Sequence, residues 1–328
     1  MAGLITSTIR IPDLHQLPEL FPQHLADLRE RLHRGDKSTK PTIIKIKFEP
    51  NDGKPVDQLA WLTSQTALPK IAWYARDGAY SVAALGSAHE RYATQVNSPA
   101  ELQTVLNGLT NHDSEYLSYF GGVAFDPYVE TDLEWRPFGA YRFVAPMFYF
   151  ETEAGRQRFV VQAIAPDKIA PALEGLTDAF QAIRWDNAPP ETPMIQLLSR
   201  DEFPAHDRWL EIHAQVLNDI GNAKYQKVVL AKNEVLNTAA NLTPGSIFHQ
   251  LVQSNSSSYR FYFEPEPNRV FMGASPERLF RREQNTLQSE ALAATRSRGK
   301  SPAETEELGQ ELMNSGKDRL EHQIVFEQ

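Results

Sequence analysis

Apolar and polar residues alternate along Thr42 to Phe48 (TIIKIKF), the period of two that marks a half-buried strand. Before it, residues 13–36 carry Leu17, Leu20, Leu25, Leu28 and Leu32 at mixed helical spacings, and Gly35 to Pro41 reads as a polar loop. Val56, Leu59, Ala60 and Leu62 form a stripe that predicts a helix over Pro55 to Ser64. Two strands follow, Lys70 to Arg76 and Tyr80 to Leu85, with Asp77-Gly78 between them as a hairpin turn. Helix returns over residues 99–109. Tyr119 to Phe125 (YFGGVAF) holds two glycines among aromatic residues, which predicts a strand that another backbone approaches closely. Arg142 to Glu151 and Arg158 to Ala165 read as a strand pair turning at Ala154-Gly155, and residues 167–184 as a helix.

Asn187 to Pro193 (NAPPETP) is the best linker candidate. Beyond it, residues 201–221 are amphipathic, with Trp209, Ile212, Val216, Leu217 and Ile220 on one helical face. A strand is predicted over Lys227 to Ala231, a helix near 244–254, and strands over 258–264 and 269–274. The last helical stretch, residues 302–328, breaks near Ser315-Gly316, where Ser315 and Asp318 form a capping pattern that restarts it. Strands arriving as hairpins, with helices between the groups, predict an α+β fold with large, mostly antiparallel sheets. Ile324 to Gln328 stops inside the helical pattern with no cap, Gly or charged tail, so a truncated chain is expected.

Composition narrows the chemistry. The 328 residues are 41% hydrophobic and carry a net charge of −9, which argues against a broad basic nucleic-acid surface but leaves room for an anionic small substrate in a locally positive cleft. Cysteine is absent, so disulfides, thiolate nucleophiles and Cys-ligated zinc are excluded. No apolar run spans a bilayer and the N-terminus lacks a secretory pattern, so no membrane association and a cytoplasmic location are expected. Walker A, GxGxxG, HExxH and GxSxG motifs are missing, and the nine histidines lack metal-ligand spacing.

Three positions carry candidate chemistry. Lys227 shares its predicted strand face with Val229 and Ala231, where poor hydration would lower an ammonium's pKa and make it a usable base; a strand-end lysine reaching water is the plain alternative. Glu277 follows a predicted strand, and a carboxyl shielded there could donate a proton; an ion pair with Arg278, Arg281 or Arg282 is the plain alternative. Glu321 sits beside Leu320 and Ile324 on the last helix, placed to hold Mg²⁺ or simply to face water.

The run from 225 to 328 resembles the chorismate-binding enzymes: isochorismate, salicylate, anthranilate and aminodeoxychorismate synthases. The blocks that carry the likeness are KVVLAK (227–232), FMGASPERLFRR (271–282), SEALAATRSRG (289–299) and KDRLEHQIV (317–325), in the family's order. KIAWYARDG (70–78), ALGSA (84–88) and YFGGVAFDP (119–127) extend it toward menaquinone- and plant-type isochorismate synthases. The resemblance implies a chorismate-binding (anthranilate synthase component I-like) α+β fold. Residues 1–190 would form its N-terminal part and 191–328 the first portion of its catalytic region, intertwined as one domain. It also implies that Lys227 is the base, Glu277 the general acid, and Glu321 a Mg²⁺ ligand. Ala294 and Thr295 are the implied substrate-binding positions; Ala294 stands where Gly is usual and where a backbone N–H meets the substrate carboxylate. A second metal glutamate and an HPTPA segment belong to a part of the family pattern beyond residue 328.

By this resemblance the chain is an isomerase that uses Mg²⁺ to turn chorismate into isochorismate, adding water at C2 and losing the C4 hydroxyl. It would act as a monomer, in menaquinone or phylloquinone biosynthesis. Salicylate synthase is the alternative within enzymes, and a ligand-binding fragment without turnover the alternative outside them.

Overall fold

The computed structural model describes residues 3–33, 41–110, 116–186, 188–191 and 194–327. The chain divides into two compact units, one of Met1–Pro193 with Thr243–Pro276 and the other of Met194–Leu242 with Glu277–Gln328. The first begins β1 (Gly3–Ile11), α1 (Leu17–His33), β2 (Thr42–Pro50), α2 (Gln58–Ser64), β3 (Lys70–Tyr74), β4 (Tyr80–Leu85) and β5 (His89–Ala93). It continues with α3 (Pro99–Thr110), β6 (Phe120–Val123), β7 (Tyr141–Ala145), β8 (Phe148–Glu153), β9 (Arg156–Ala165) and α4 (Ile169–Gln181). The second unit opens with β10 (Leu197–Phe203), α5 (His206–Gly221) and β11 (Asn233–Thr238). The chain then returns to the first for α6 (Pro244–Ser254), β12 (Tyr259–Glu266) and β13 (Arg269–Ser275). It ends in the second with β14 (Arg281–Glu283), β15 (Thr286–Gln288), α7 (Pro302–Asn314) and α8 (Gly316–Phe326).

An eight-stranded sheet in the order β1-β2-β9-β8-β4-β3-β12-β13 forms the frame of the first unit. Only β1 and β2 pair in parallel, and α1 makes that crossover. One face of the sheet packs against α1, α2 and α4. Phe21 of α1 stacks on Phe180 of α4 with ring centroids 3.8 Å apart, and Trp61 of α2 stands edge-on to Phe150, 4.9 Å away. All four are buried. Each such side chain contributes about 1.5–3 kcal/mol on leaving water. The opposite face, carrying Ile71, Val82, Ala84, Tyr149 and Val160, packs against Val144 from the three-stranded sheet β5-β7-β6.

That second covering explains β2. It was expected to be half-buried, yet Ile43 is buried with Leu117 and Ala145 while Ile44, Ile46 and Phe48 are buried on the helical side. The close approach expected at the glycine pair is present, because a Cβ on Gly121 would overlap the Arg142 carbonyl oxygen of β7. The single strand expected over Arg142 to Glu151 is two. β7 ends at Ala145, β8 starts at Phe148, and the pair enters different sheets. A run of apolar residues cannot reveal that switch, since both sheets want the same residue types.

The second unit is lighter. β10 pairs antiparallel with β11, β14 with β15, and α5, α7 and α8 complete it. None of its described side chains is buried. The predicted break in the last helix is where the sequence placed it: Ser315 accepts from the Asp318 N–H and starts α8. The polar loop at 35–40 and linker residues 187, 192 and 193 lie outside the described residues.

Candidate functional site

All five residues singled out by the sequence (Lys227, Glu277, Ala294, Thr295 and Glu321) belong to the second unit. Helix α8, which is the fourth motif block, meets the first and the third. Glu321 lies on α8, with Oε1 3.6 Å from Lys227 Nζ, so the first and last blocks touch through an ion pair. One helical turn earlier, Asp318 takes the Arg296 guanidinium at 2.6 Å, tying down the segment that holds Ala294 and Thr295. Hydrogen bonding with Ser315, and then with Arg296, holds the Asp318 carboxyl below the usual carboxylate range. His322 reaches the Ala291 carbonyl at 3.2 Å; a carbonyl only accepts, so Nε2 of that ring carries the proton. Arg278, next to Glu277, meets Glu290 at 3.6 Å and joins the second block to the third.

Three expectations need correction. No strand forms over Lys227 to Ala231; regular pairing with β10 starts only at Asn233. An apolar run becomes a strand only where a partner supplies ladder hydrogen bonds, and β10 pairs with Asn233 to Thr238 instead. The apolar wall expected beside Lys227 is missing too, for Val229 is 81% exposed. What Lys227 meets is a carboxylate. Its side chain is 24% exposed and that of Glu321 39%, so water reaches both. Likewise, the shielding expected at Glu277 is absent: it lies exposed in the loop after β13. Among the arginines offered as its partners, Arg281 pairs with Glu283 at 3.3 Å and Arg282 donates to the Gln284 carbonyl at 3.0 Å.

Ala294 is the most informative of the five. Its φ is +61°, in the left-handed region that costs a residue with a Cβ about 1–2 kcal/mol. The departure noted in the sequence, Ala where the family usually has Gly, therefore falls where the backbone asks for glycine. Arg296, whose Nη1 also donates to the Thr295 carbonyl at 3.0 Å, braces this turn from the following residues. Arg296 and His322 were not singled out from sequence, and Asp318 only as part of the capping pattern. Their blocks were legible, but 22 residues separate the Arg296–Asp318 pair and no local spacing predicts it.

No group of three His, Asp or Glu residues that could hold a metal occurs among the described residues. The implied ligand Glu321 is a half-exposed carboxylate already facing a cation in the form of the Lys227 ammonium. That donor fits Mg²⁺ as a single ligand, because Mg²⁺ usually takes one or two carboxylates and fills its remaining positions with water and substrate oxygens.

The family model described as "Chorismate binding enzyme" matches residues 29–328. The chloroplastic isochorismate synthase of Catharanthus roseus is 30% identical over 223 residues, which cover 63% of this chain and 37% of that protein. Isochorismate synthase MenF of Escherichia coli (strain K12) is 27% identical over 293 residues, covering 87% of this chain and 61% of that one. The chain thus spans less than two thirds of the length of both curated relatives. A solved structure described as MenF, the menaquinone-specific isochorismate synthase from Escherichia coli, matches with a TM-score of 0.76 at 22% identity, over 94% of this chain and 67% of the other. The expected α+β fold is the fold of that structure. No helix among the described residues is long and apolar enough to cross a membrane.

Proposed function

The chain belongs to the chorismate-binding enzymes, and on that premise we propose that it converts chorismate to isochorismate. One observation carries the reading: the first and third motif blocks meet the fourth on α8, with Lys227 and Glu321 in contact and the Ala294–Thr295 turn clasped by Arg296 and Asp318. In this reading Lys227 takes a proton from the water that attacks C2, and Glu277 gives one to the departing C4 hydroxyl. An ammonium cannot accept a proton, so Lys227 must first lose one. The exposed position of Glu277 lets it be reprotonated from solvent after each turnover. The turn at Ala294 offers its backbone N–H to a substrate carboxylate, with the Cβ turned by the positive φ. Mg²⁺, held by Glu321 as one ligand, would neutralise the carboxylate charge of the substrate. The same reading makes the protein a cytoplasmic monomer serving menaquinone or phylloquinone biosynthesis.

The test is chromatography of products after incubating chorismate and Mg²⁺ with the protein and with Lys227→Ala. Isochorismate from the first and a loss of about 10²–10⁴ in turnover for the second are expected, the usual contribution of a positioned acid or base. Near-unchanged turnover in the variant would sink the base assignment. Salicylate with pyruvate would move the reading to a salicylate synthase, and binding without any product to a non-catalytic ligand-binding chain.

A further inference from the structure

The assigned base and the assigned metal ligand are not independent of each other. Lys227 Nζ lies 3.6 Å from Glu321 Oε1 and stands where a cation would approach that oxygen. Asp318, the other α8 carboxylate beside these blocks, is no competing partner for Lys227, since Arg296 holds it at 2.6 Å. A monovalent ammonium and a divalent ion cannot both sit against one carboxylate oxygen, because at a few ångströms they repel each other more strongly than either gains from sharing it. Both side chains are partly open to water, at 24% and 39%, so the contact can break without any core being disturbed.

Resting on the reading of Glu321 as a metal ligand, we propose that the Lys227 ammonium occupies the cation position at Glu321 in the metal-free protein. Loading of a divalent cation and release of Lys227 from its carboxylate are then a single exchange. The lysine keeps Glu321 neutralised while no metal is bound. It becomes free to turn toward substrate only when the cation takes its place. Lys227 thereby sets the threshold for metal loading, a role separate from proton transfer. This exchange makes and breaks no covalent bond.

The experiment titrates Mn²⁺ into the protein by calorimetry without substrate, so the readout is binding and not turnover. The wild type is compared with Lys227→Gln, Lys227→Arg and Glu321→Gln, each checked for an unchanged circular dichroism spectrum. Removing a partly exposed ion pair releases about a fivefold factor in an equilibrium constant, so Lys227→Gln should bind Mn²⁺ about fivefold more tightly. Lys227→Arg, which keeps the competing charge, should bind no more tightly than the wild type, and Glu321→Gln should lose most of the binding. Equal or weaker binding by Lys227→Gln, alongside a loss in Glu321→Gln, overturns the exchange while leaving the ligand reading standing. Unchanged binding by Glu321→Gln, or no saturable binding in any form, overturns both.

Discussion

The two units of this chain differ in what they bury and in what they carry. Among the described residues every buried one belongs to the first unit, from Ile11 to Pro265, while the second unit buries none. Yet Lys227, Glu277, Ala294, Thr295 and Glu321 all lie in the second. Stability and chemistry are separated. The aromatic cluster of Phe21, Trp61, Phe150, Phe159 and Phe180 supplies an apolar scaffold. The second unit is held by pairs such as Arg296–Asp318, and partly exposed ion pairs contribute at most about 1 kcal/mol each. A region of that kind opens locally at low cost, which suits side chains that must exchange partners during a reaction.

The comparison can be broken most forcefully at Trp61, which is fully buried against Phe150 and Phe159. Trp61→Ala should cost about 3–5 kcal/mol, measured by denaturant unfolding. A loss below about 1 kcal/mol would mean that the first unit is not the source of stability. Next in size is an alkaline effect. Burial foremost pushes the phenols of Tyr74, Tyr80, Tyr149 and Tyr262 above their ordinary value, and all four belong to the first unit. A folded-state pKa above the unfolded one means that stability is complete below about pH 10 and is lost as pH rises through the folded values. Loss of circular dichroism should therefore accompany the growth of tyrosinate absorbance above that pH. Tyrosinates that form while the dichroism stays intact would contradict their burial. The smallest effect belongs to the second unit: Ala294→Gly relieves the positive φ but loosens the unfolded chain, for a net gain of about 0.5 kcal/mol. Hydrogen exchange in residues 289–299 should report it, and faster exchange in the variant would show that the turn gains nothing from glycine.

Much of the fold was legible in the sequence. The β3–β4 hairpin at Asp77-Gly78, helices α3, α4 and α6, the pair β12–β13 and the Ser315 break all follow from period, turn residues and caps. β1 was missed although its Thr, Ile and Ser residues alternate in exposure, because four polar positions in nine hid the apolar face. β10 was missed because its residues read as the approach to an amphipathic helix. The candidate residues were legible only as blocks, and the block order pointed to the family where no single position did.

By itself the sequence determined the local elements, the absence of thiol chemistry, and which residues hold the candidate chemistry, since these depend on neighbours a few positions apart. Only the tertiary structure decided that Lys227 faces a carboxylate instead of an apolar wall, and that Arg296 finds Asp318. It alone placed Ala294 in a left-handed turn and confined burial to one unit. Those facts depend on contacts between residues far apart in the chain. Their energies are set by which partner and how much water the fold leaves beside each group, and local pattern encodes neither.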